Sequence, residues 1–328
     1  MLSSVTWPCA ALCEADLAAR TTLAVGGRVA WLLEPATPGE FVSAWRAALE
    51  RGFSPRVLGG GANLIVDEGL HPCVVVTTAR MTRLFRAGLE ENAEACGFER
   101  ALAAGEGGDP VLFAWAGVPI PGLVRAAREL GWTGLEGLVG VPGHLGGGVA
   151  MNAGGRWGEM WDVVESVELL SPTGEEIELR RTDARPKYRD GNLAGAVVLA
   201  AWLRLEHGNP DEIRQRMRDY LSQKSAAQPV TERSAGCVFK NPDRELSGGR
   251  SAGHLLEASG AKGMRRGDAL VSPKHANFIV NPGKARPSDV LALVEDMRRA
   301  VLDRTGIQLE TEVKIWRGPG TDPPTPPG

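Results

Sequence analysis

Glycine is concentrated in three short stretches of this sequence, and each stretch lies between apolar segments. Of the 42 glycines in the 328-residue chain, the densest groups fall at residues 59–61, 134–148 and 154–158. Glycine adopts positive φ angles without strain and lets another group approach the backbone closely. A stretch of this kind can form a tight turn or present its backbone to a ligand, and the flanking sequence must decide between the two.

The first stretch, Gly59-Gly60-Gly61-Ala62-Asn63-Leu64, directly follows a predicted strand at 56–58. Backbone N–H groups in such a turn can hold a pyrophosphate, and Asn63 adds side-chain donors. The G-x-G-x-x-G pattern that opens a helix in dinucleotide-binding domains is missing, since residues 64–66 continue as a strand, and no phosphate-binding lysine follows. On its own, the stretch fits a plain turn as well as a phosphate site.

The second stretch, from Gly134 to Gly154, is too rich in glycine to form a regular helix or strand throughout. It interleaves glycine with Leu, Val and Met and carries a formal charge only at Glu136. A backbone wrapped around a flat or polyphosphate ligand explains this pattern better than a flexible linker does. His144 is the titratable candidate in this stretch, and a single loop histidine can be structural or catalytic.

Hydrophobic periodicity predicts alternating strands and helices up to residue 206. A strand at 29–35, a helix at 38–52 and three short β-branched segments up to residue 78 form a βαβ-like unit. A second helix begins near residue 120, with Leu123, Val124, Ala127 and Leu130 on one face. Two strands joined by the turn Pro172-Thr173-Gly174 and a further strand at 196–206 follow.

A charged helix that ends before Pro229 opens the last part of the chain, at residue 207. A strand at 276–281 and a helix at 287–306 follow, and the helix carries an apolar stripe that must face a core. The stripe consists of Val290, Leu293, Val294, Met297 and Val301. Because one core rarely grows to this length, we expect lobes at 1–80, 81–206 and 207–317, and a disordered Pro/Gly tail at 318–328.

Charge and cysteine content exclude several classes of protein. The net charge of −3, from 37 basic and 40 acidic residues, argues against an electrostatic nucleic-acid binder. No run approaches the roughly 20 apolar residues of a membrane helix, and the first 13 residues lack the basic start of a secretory signal. The five cysteines contain no C-x-x-C pair, which argues against a disulfide framework or a metal site. We expect a cytoplasmic monomer without a metal, a membrane partner or a nucleic-acid partner.

Three motifs in a fixed order resemble one enzyme family. They are T-T-x-x-x-G-G from Thr21, G-G-G-A-N-L from Gly59, and G-L-E-x-L-x-G-x-P-G-x-x-G-G-x-x-x-M-N-A-G from Gly134. Together they resemble the UDP-N-acetylenolpyruvoylglucosamine reductases (UDP-N-acetylmuramate dehydrogenases, the MurB family), from about Thr21 to about Gly318. After Arg189 the chain has no room for the extra tyrosine-bearing loop of one subgroup, so it is similar to the shorter subgroup.

The resemblance implies an α/β and α+β fold. Its parts are a two-lobed FAD-binding module of the PCMH/vanillyl-alcohol-oxidase type and a C-terminal α+β substrate-binding domain. It also implies NADPH-dependent reduction of UDP-N-acetylglucosamine enolpyruvate to UDP-N-acetylmuramate, in peptidoglycan precursor synthesis, through a non-covalent FAD. The residues it assigns to the cofactor are Gly59, Gly60, Gly61, Ala62, Asn63, Leu64, Gly140, Pro142, Gly143, Gly146, Gly147, Asn152 and Ala153.

Three residues are implied to be catalytic. Arg189 matches an arginine that faces the substrate carboxylate, and a guanidinium suits a carboxylate that gains enolate character. Cys237, in S-A-G-C-V-F-K-N-P, stands where the family has the serine that donates a proton, and a thiol is the stronger acid. Glu312 matches the catalytic glutamate of the last strand, with Glu310 as the alternative, since residues two apart on a strand share a face.

Tyr188, Lys224 and Asn241 match substrate-binding positions of the family, and the H-A-N-F-I-V-N segment from His275 is expected to be structural. Two rival functions remain open at this point. One is another FAD-dependent oxidoreductase on the same scaffold, such as an oxidase of a sugar or hydroxy acid. The other is a catalytically silent flavin- or nucleotide-binding relative, which the change from serine to Cys237 would suit.

Overall fold

A computed structural model of the chain describes residues 5–86 and 109–318. The chain forms two compact units, and each is assembled from several segments. Unit 1 contains Met1–Leu12, Leu32–Gly60 and Val74–Gln223, and unit 2 contains Cys13–Trp31, Gly61–Cys73 and Lys224–Gly328. The sequence division at residues 80, 206 and 317 stays a prediction. The predicted disordered tail lies outside the described residues except for Gly318.

The helices begin and end close to the residues at which the sequence predicts it. In the described residues they are α1 (Pro38–Glu50), α2 (Ile120–Glu129), α3 (Leu145–Ala150), α4 (Pro210–Ala227), α5 (Arg244–Ser247), α6 (Ala252–Ala258) and α7 (Pro287–Thr305). At the start of α1, the side chain of Thr37 accepts a hydrogen bond of 3.1 Å from the backbone N–H of Glu40, which satisfies a donor that the helix cannot. None of the helices in the described ranges is long and apolar enough to span a bilayer.

Leu130 was predicted on the apolar face of α2, and that prediction is wrong. The helix ends at Glu129, and the side chain of Leu130 is 40% exposed. The next residue, Gly131, has a φ of +69°. The backbone therefore turns out of the helix just where the apolar spacing would have continued.

Most strands are short. They are β1 (Ala10–Asp16), β2 (Arg28–Glu34), β3 (Arg56–Leu58), β4 (Leu64–Val66), β5 (Leu70–Thr77), β6 (Leu84–Arg86), β7 (Val111–Trp115), β8 (Trp132–Thr133), β9 (Gly154–Gly155), β10 (Gly158–Glu159), β11 (Val164–Leu170), β12 (Glu176–Arg180), β13 (Val197–Arg204), β14 (Glu206–His207), β15 (Ser234–Cys237), β16 (Arg265–Arg266), β17 (Ala269–Val271), β18 (Phe278–Val280) and β19 (Lys314–Trp316).

Unit 1 contains an antiparallel sheet in the order β12-β11-β13-β7-β6. Every residue of β7 is buried, as a central strand requires. The predicted hairpin around Pro172-Thr173-Gly174 is confirmed, because it joins β11 to β12. Strand β3 runs parallel to the β5 segment Val75–Thr77. The first glycine stretch thus leaves the carboxyl end of β3.

Unit 2 contains an antiparallel sheet in the order β15-β18-β17-β16. The apolar stripe of α7 lies in its core, where all five predicted residues are at most 1% exposed. Strand β19 pairs in parallel with β4, with Lys314 opposite Leu64. The C-terminal strand therefore lies beside the strand that leads out of the first glycine stretch.

Candidate functional site

Gly60 and Gly61 are glycines for steric reasons. A Cβ on Gly60 would lie 2.9 Å from the Cα of Gly143, so the first and second glycine stretches pass against each other there. Gly61 has a φ of +61°, and a Cβ on it would overlap the carbonyl oxygen of Arg20 and lie 2.7 Å from the Cα of Thr21. Side chains are excluded at both positions by neighbouring backbone.

Gly146 and Gly148 in α3 are likewise explained by packing. A Cβ on Gly146 would lie 2.9 Å from the Cβ of Ala116, and one on Gly148 would lie 2.9 Å from the Cε of Met160. The backbone N–H of Gly146 also donates to the carbonyl of Ala116 at 2.9 Å. These contacts hold the second glycine stretch against Met160 and against Ala116, which directly follows β7.

Gly59 and Gly147 have no such explanation within the described residues. No described heavy atom lies within 4 Å of a Cβ built on either one, and neither has a positive φ. A glycine inside a helix is destabilising by about 1 kcal/mol relative to alanine. Gly39, Gly122 and Gly155 have the same open space, so the space at Gly59 and Gly147 leaves room for a ligand without itself identifying one.

His144 provides a second observation of this kind. Its Nδ1 atom is buried and has no hydrogen-bond partner among the described residues. Burial lowers the pKa of His144, so the imidazole is neutral near pH 7 and can offer Nδ1 as donor or acceptor. A ligand group that bonds this atom would remove the cost of leaving it unsatisfied.

The remaining cofactor residues of the second stretch differ in what they do. Gly140 and Gly143 have φ angles of +72° and +98°, which suits glycine, and Pro142 is exposed between them. Ala153 is bonded through its backbone, with its N–H donating to Gly148 at 2.7 Å. On either side of α3, the stretch is thus turned and closed by local backbone bonds.

Asn152 was predicted to bind the cofactor, and its side chain is instead fully engaged within the protein. It is 3% exposed and has a φ of +43°. Its Nδ2 donates to Glu159 Oε2 at 2.7 Å and to the carbonyl of Lys187 at 3.3 Å. Its Oδ1 accepts from the backbone N–H of Trp161 at 3.2 Å. Cofactor binding by Asn152 stays a prediction that can involve only its backbone.

Tyr188 and Arg189 form the tip of a tight turn that Asn152 holds. Lys187 and Asp190 close the turn with two backbone hydrogen bonds of 2.7 and 3.1 Å. Arg189 has a φ of +58°, which is rare for a residue other than glycine, and such strain often marks functional positions. Its guanidinium carbon lies 5.1 Å from the ring centre of Tyr188, whose side chain is 48% exposed.

Cys237 is aimed by an irregularity in β15. Ser234 pairs with Val280 and Cys237 with Phe278, so one extra residue lies on the β15 side. Gly236, within this bulge, has a φ of +78°. A bulge re-aims a side chain and is frequent beside active sites.

Asn277 fixes the backbone immediately after Cys237. Its Nδ2 donates to the carbonyl of Phe239 at 2.8 Å, and its Oδ1 accepts from the N–H of Phe239 at 2.9 Å. Asn281, at the end of the same segment, donates to the carbonyl of Leu23 at 3.0 Å. The predicted structural role of the H-A-N-F-I-V-N segment is confirmed.

Glu310 and Glu312 were predicted to lie in the last strand, and that prediction is wrong. The strand begins only at Lys314, while Glu310 and Glu312 bond through their backbones to the segment after Cys237. The N–H of Glu312 donates to the carbonyl of Val238 at 2.8 Å, and the N–H of Lys240 donates to the carbonyl of Glu310 at 2.9 Å. Glu312 is therefore held beside Cys237 by the main chain.

The two carboxylates differ in their surroundings. The side chain of Glu310 is 81% exposed and lies 3.6 Å from the Nζ of Lys240. Glu312 is half-buried, and its carbonyl accepts a hydrogen bond of 3.2 Å from the Nδ2 of Asn63. The backbone of Glu312 is tied both to the segment after Cys237 and to the first glycine stretch. The choice of Glu312 over Glu310 stays a prediction.

Ala62 and Leu64, the other predicted cofactor residues of the first stretch, lie in unit 2. Leu64 is buried at the start of β4, and the carbonyl of Ala62 would be 3.9 Å from a Cβ on Gly236. Of the predicted substrate residues, Lys224 lies in the last turn of α4. Asn241 uses its Oδ1 to accept from the N–H of Ala252 at 3.0 Å, at the start of α6.

The predicted residues fall into two groups, each within one unit. Unit 1 brings the second glycine stretch together with Gly60, Tyr188 and Arg189, and unit 2 brings residues 61–64 together with Cys237 and Glu312. The prediction from sequence missed the buried carboxylate of Glu136, which accepts 2.6 Å hydrogen bonds from Arg216 and Thr133. A charged residue inside an otherwise uncharged glycine stretch was the signal for it.

Comparison with known proteins finds one family along almost the whole chain. The family model for the UDP-N-acetylenolpyruvoylglucosamine reductase C-terminal domain matches residues 228–316, and the FAD binding domain model matches residues 29–180. UDP-N-acetylenolpyruvoylglucosamine reductase of Deinococcus radiodurans is 37% identical over 92% of this chain and 94% of its own length. The Geobacter metallireducens enzyme is 37% identical over 92% of each chain.

A solved structure agrees with these sequence matches. The crystal structure of UDP-N-acetylenolpyruvylglucosamine reductase from Thermus caldophilus is 35% identical and superposes with a TM-score of 0.72, over 94% of this chain and 98% of that one. The predicted fold class, an FAD-binding module followed by the C-terminal α+β domain, is thereby confirmed.

Proposed function

The chain belongs to the UDP-N-acetylenolpyruvoylglucosamine reductase family, and from that premise we propose that Arg189, Cys237 and Glu312 carry out its chemistry. The protein is an FAD-dependent NADPH oxidoreductase that reduces UDP-N-acetylglucosamine enolpyruvate to UDP-N-acetylmuramate for peptidoglycan synthesis. The observation that carries this function is the 37% identity over 92% of the chain. FAD supplies the transfer of hydride from NADPH to the enolpyruvyl double bond.

The protein's part in cofactor binding is to present bare backbone. In our proposal the ligand lies against Gly59 and Gly147, where the structure leaves space for it, and the neighbouring peptide N–H groups supply donors for its phosphates. Gly60 and Gly61 keep the first stretch close to its neighbours, so that these donors stay in place. His144 Nδ1 is available for one further hydrogen bond.

Cys237 supplies the proton that completes the reduction. Adding hydrogen across the double bond takes a hydride at one carbon and a proton at the other, and the proton leaves the Sγ–H of Cys237. A thiol, with an ordinary pKa of about 8.5, gives up this proton more readily than a serine hydroxyl does. The resulting thiolate recovers a proton from solvent before the next turnover.

Arg189 stabilises the negative charge that appears before that proton arrives. As hydride adds, the substrate carboxylate gains enolate character, and a guanidinium binds two oxygens while remaining charged. Glu312 works with the proton donor, which its backbone bond to Val238 supports. Removing one such group typically slows a reaction by about 10²- to 10³-fold.

The remaining assignments complete the proposal. Tyr188, Lys224 and Asn241 bind the UDP-sugar, and the protein acts as a cytoplasmic monomer with no nucleic-acid partner.

The test measures the two half-reactions separately under anaerobic conditions. Arg189→Met should leave reduction of the bound flavin by NADPH unchanged and slow its reoxidation by UDP-N-acetylglucosamine enolpyruvate about 10²- to 10³-fold. Slowed reduction with normal reoxidation would contradict the role given to Arg189. Fast reoxidation by oxygen without any UDP-sugar would favour the oxidase alternative.

A further inference from the structure

The T-T-x-x-x-G-G motif has no role in the mechanism so far, yet it forms a rigid turn in unit 2. Thr21 is buried, and its Oγ1 donates to the carbonyl of Val25 at 2.8 Å. A Cβ on Gly26 would lie 2.9 Å from the N of Ala18, and one on Gly27 would lie 2.6 Å from the carbonyl oxygen of Gly69. The turn is therefore closed by its own side chain and packed against backbone at both glycines.

Thr22 projects from this turn to two segments far away in the sequence. Its N–H donates to the carbonyl of Gly61 at 3.1 Å. Its Oγ1 donates to the carbonyl of Ser234 at 2.6 Å and lies 3.3 Å from the carbonyl of Gly61. The shorter distance makes the carbonyl of Ser234 the main acceptor of the Thr22 hydroxyl. The backbone of Thr22 therefore bonds one segment, and its side chain bonds mainly the other.

Both segments lead directly to the proposed chemistry. Gly61 belongs to the first glycine stretch, has a φ of +61° and is packed closely against the backbone of Arg20 and Thr21. Ser234 opens β15, whose bulge aims Cys237 three residues later. Within the bulge, β15 lacks the regular pairing with β18 that would otherwise fix its backbone. The hydrogen bond from Thr22 to Ser234 therefore helps to set the position of Cys237.

We propose that Thr22 is a positioning residue, which holds the strand of Cys237 at a fixed distance from the first glycine stretch. The proposal rests on the proton-donor role of Cys237. A misplacement of about 1 Å at a reacting group can slow a reaction by as much as about 10²-fold. Loss of the hydroxyl should therefore slow protonation of the substrate while leaving the transfer of hydride from NADPH to the flavin untouched.

The test compares Thr22→Ala with Thr22→Ser, since serine keeps the hydroxyl and alanine does not. Thr305→Val is the matched control, because it removes a threonine hydrogen bond, to the carbonyl of Val301 at 2.7 Å, away from the turn. We expect Thr22→Ala to slow reoxidation of the reduced flavin by substrate about 10- to 100-fold, with Thr22→Ser and Thr305→Val close to wild type. Reduction by NADPH and the dissociation constant of FAD should stay within about twofold in all three variants.

Hydrogen exchange gives a readout that does not depend on activity. In Thr22→Ala without substrate, the peptide that contains residues 234–238 should exchange faster than in Thr22→Ser. Equal exchange in the two variants, or an equal effect on both half-reactions, would overturn the positioning role. The positioning role would also be overturned if the loss of reoxidation rate in the variants simply followed the loss of unfolding midpoint. Thr22 would then only stabilise the fold.

A double variant separates this inference from the assignment of Cys237. If Thr22 acts through Cys237, then Thr22→Ala should slow reoxidation no further in a Cys237→Ala background. A Cys237→Ala variant of normal activity would refute the proton-donor role itself. If Cys237→Ala slows flavin reoxidation by substrate and Thr22→Ala does not, only the inference about Thr22 is refuted.

Discussion

Replacing Asn152 tests whether the second glycine stretch holds the turn that carries Arg189. Asn152 is 3% exposed, and its amide joins Glu159, the carbonyl of Lys187 and the N–H of Trp161. Asn152→Ala removes all of these hydrogen bonds, so the three partner groups lose the amide of Asn152 as a partner. Because Lys187 is the first residue of the turn, the loss reaches Arg189 through one backbone carbonyl.

The size of the effect follows from the type of each bond. A hydrogen bond to a charged group contributes about 1.5–3 kcal/mol, and a neutral one contributes about 1 kcal/mol. The bond to Glu159 is of the first type, and the bonds to Lys187 and Trp161 are of the second. All three share one side chain, and we expect Asn152→Ala to lower the free energy of unfolding of unit 1 by about 3–5 kcal/mol.

The backbone of Asn152 adds a separate term. Its φ of +43° lies in the left-handed region, which costs a residue such as alanine about 1 kcal/mol more than glycine. Asn152→Gly removes the same hydrogen bonds without this strain and should be about 1 kcal/mol more stable than Asn152→Ala. Asn152→Asp keeps the acceptor for Trp161 but sets a carboxylate against Glu159, so it should be no more stable than the alanine variant at pH 7.

Urea unfolding followed by tryptophan fluorescence measures these differences, and single-turnover reoxidation measures their effect on Arg189. Asn152→Gly, the mildest variant, should reoxidise more slowly with substrate than wild type and reduce normally with NADPH. If Asn152→Gly unfolds within about 0.5 kcal/mol of wild type, the hydrogen-bond argument is refuted. Equal stability of the glycine and alanine variants would refute the argument from φ.

Three further predictions follow from the site. Glu312→Gln should slow substrate-dependent reoxidation about 10²- to 10³-fold, while Glu310→Gln, whose carboxylate is 81% exposed, should stay near wild type; the reverse order would exchange their roles. Gly61→Ala should lower the thermal midpoint more than Gly52→Ala, since both have positive φ but only Gly61 meets backbone; equal losses would refute the packing argument. Because burial lowers the pKa of His144, the fold should lose stability as the pH falls below the unfolded pKa of about 6.5 towards the lower pKa of the folded state; His144→Gln should reduce that pH dependence, and an unchanged slope would contradict the claim.

Residue spacing along the sequence predicted those elements that depend on residues close to one another in the chain. The stripe of α7 needed only helical spacing, and its residues are all buried, as expected. Leu130 failed because a glycine turn ended the helix first, and helix ends depend on one or two residues. The order of the three motifs identified the family, because their joint occurrence is specific where each alone is not.

Long-range bonds decided what the sequence could not. The spacing of Glu310 and Glu312 suggested a strand, but their backbone partners are Lys240 and Val238, which only the folded chain brings near. Thr22 bonds a residue 212 positions away, and Asn152 bonds one 35 positions away. A periodic sequence pattern does not indicate such pairs. The sequence therefore predicted no role for Thr22, and it predicted cofactor binding for Asn152.

The central claim is that Cys237 donates the proton in this enzyme, and single-turnover reoxidation of the reduced protein by UDP-N-acetylglucosamine enolpyruvate tests it most directly. Cys237→Ser should keep substantial activity, because a serine hydroxyl at this position can also donate a proton. Cys237→Ala should be slower than the serine variant by about 10²-fold or more, with reduction by NADPH unchanged in both. Equal reoxidation rates for the alanine and serine variants would contradict the claim.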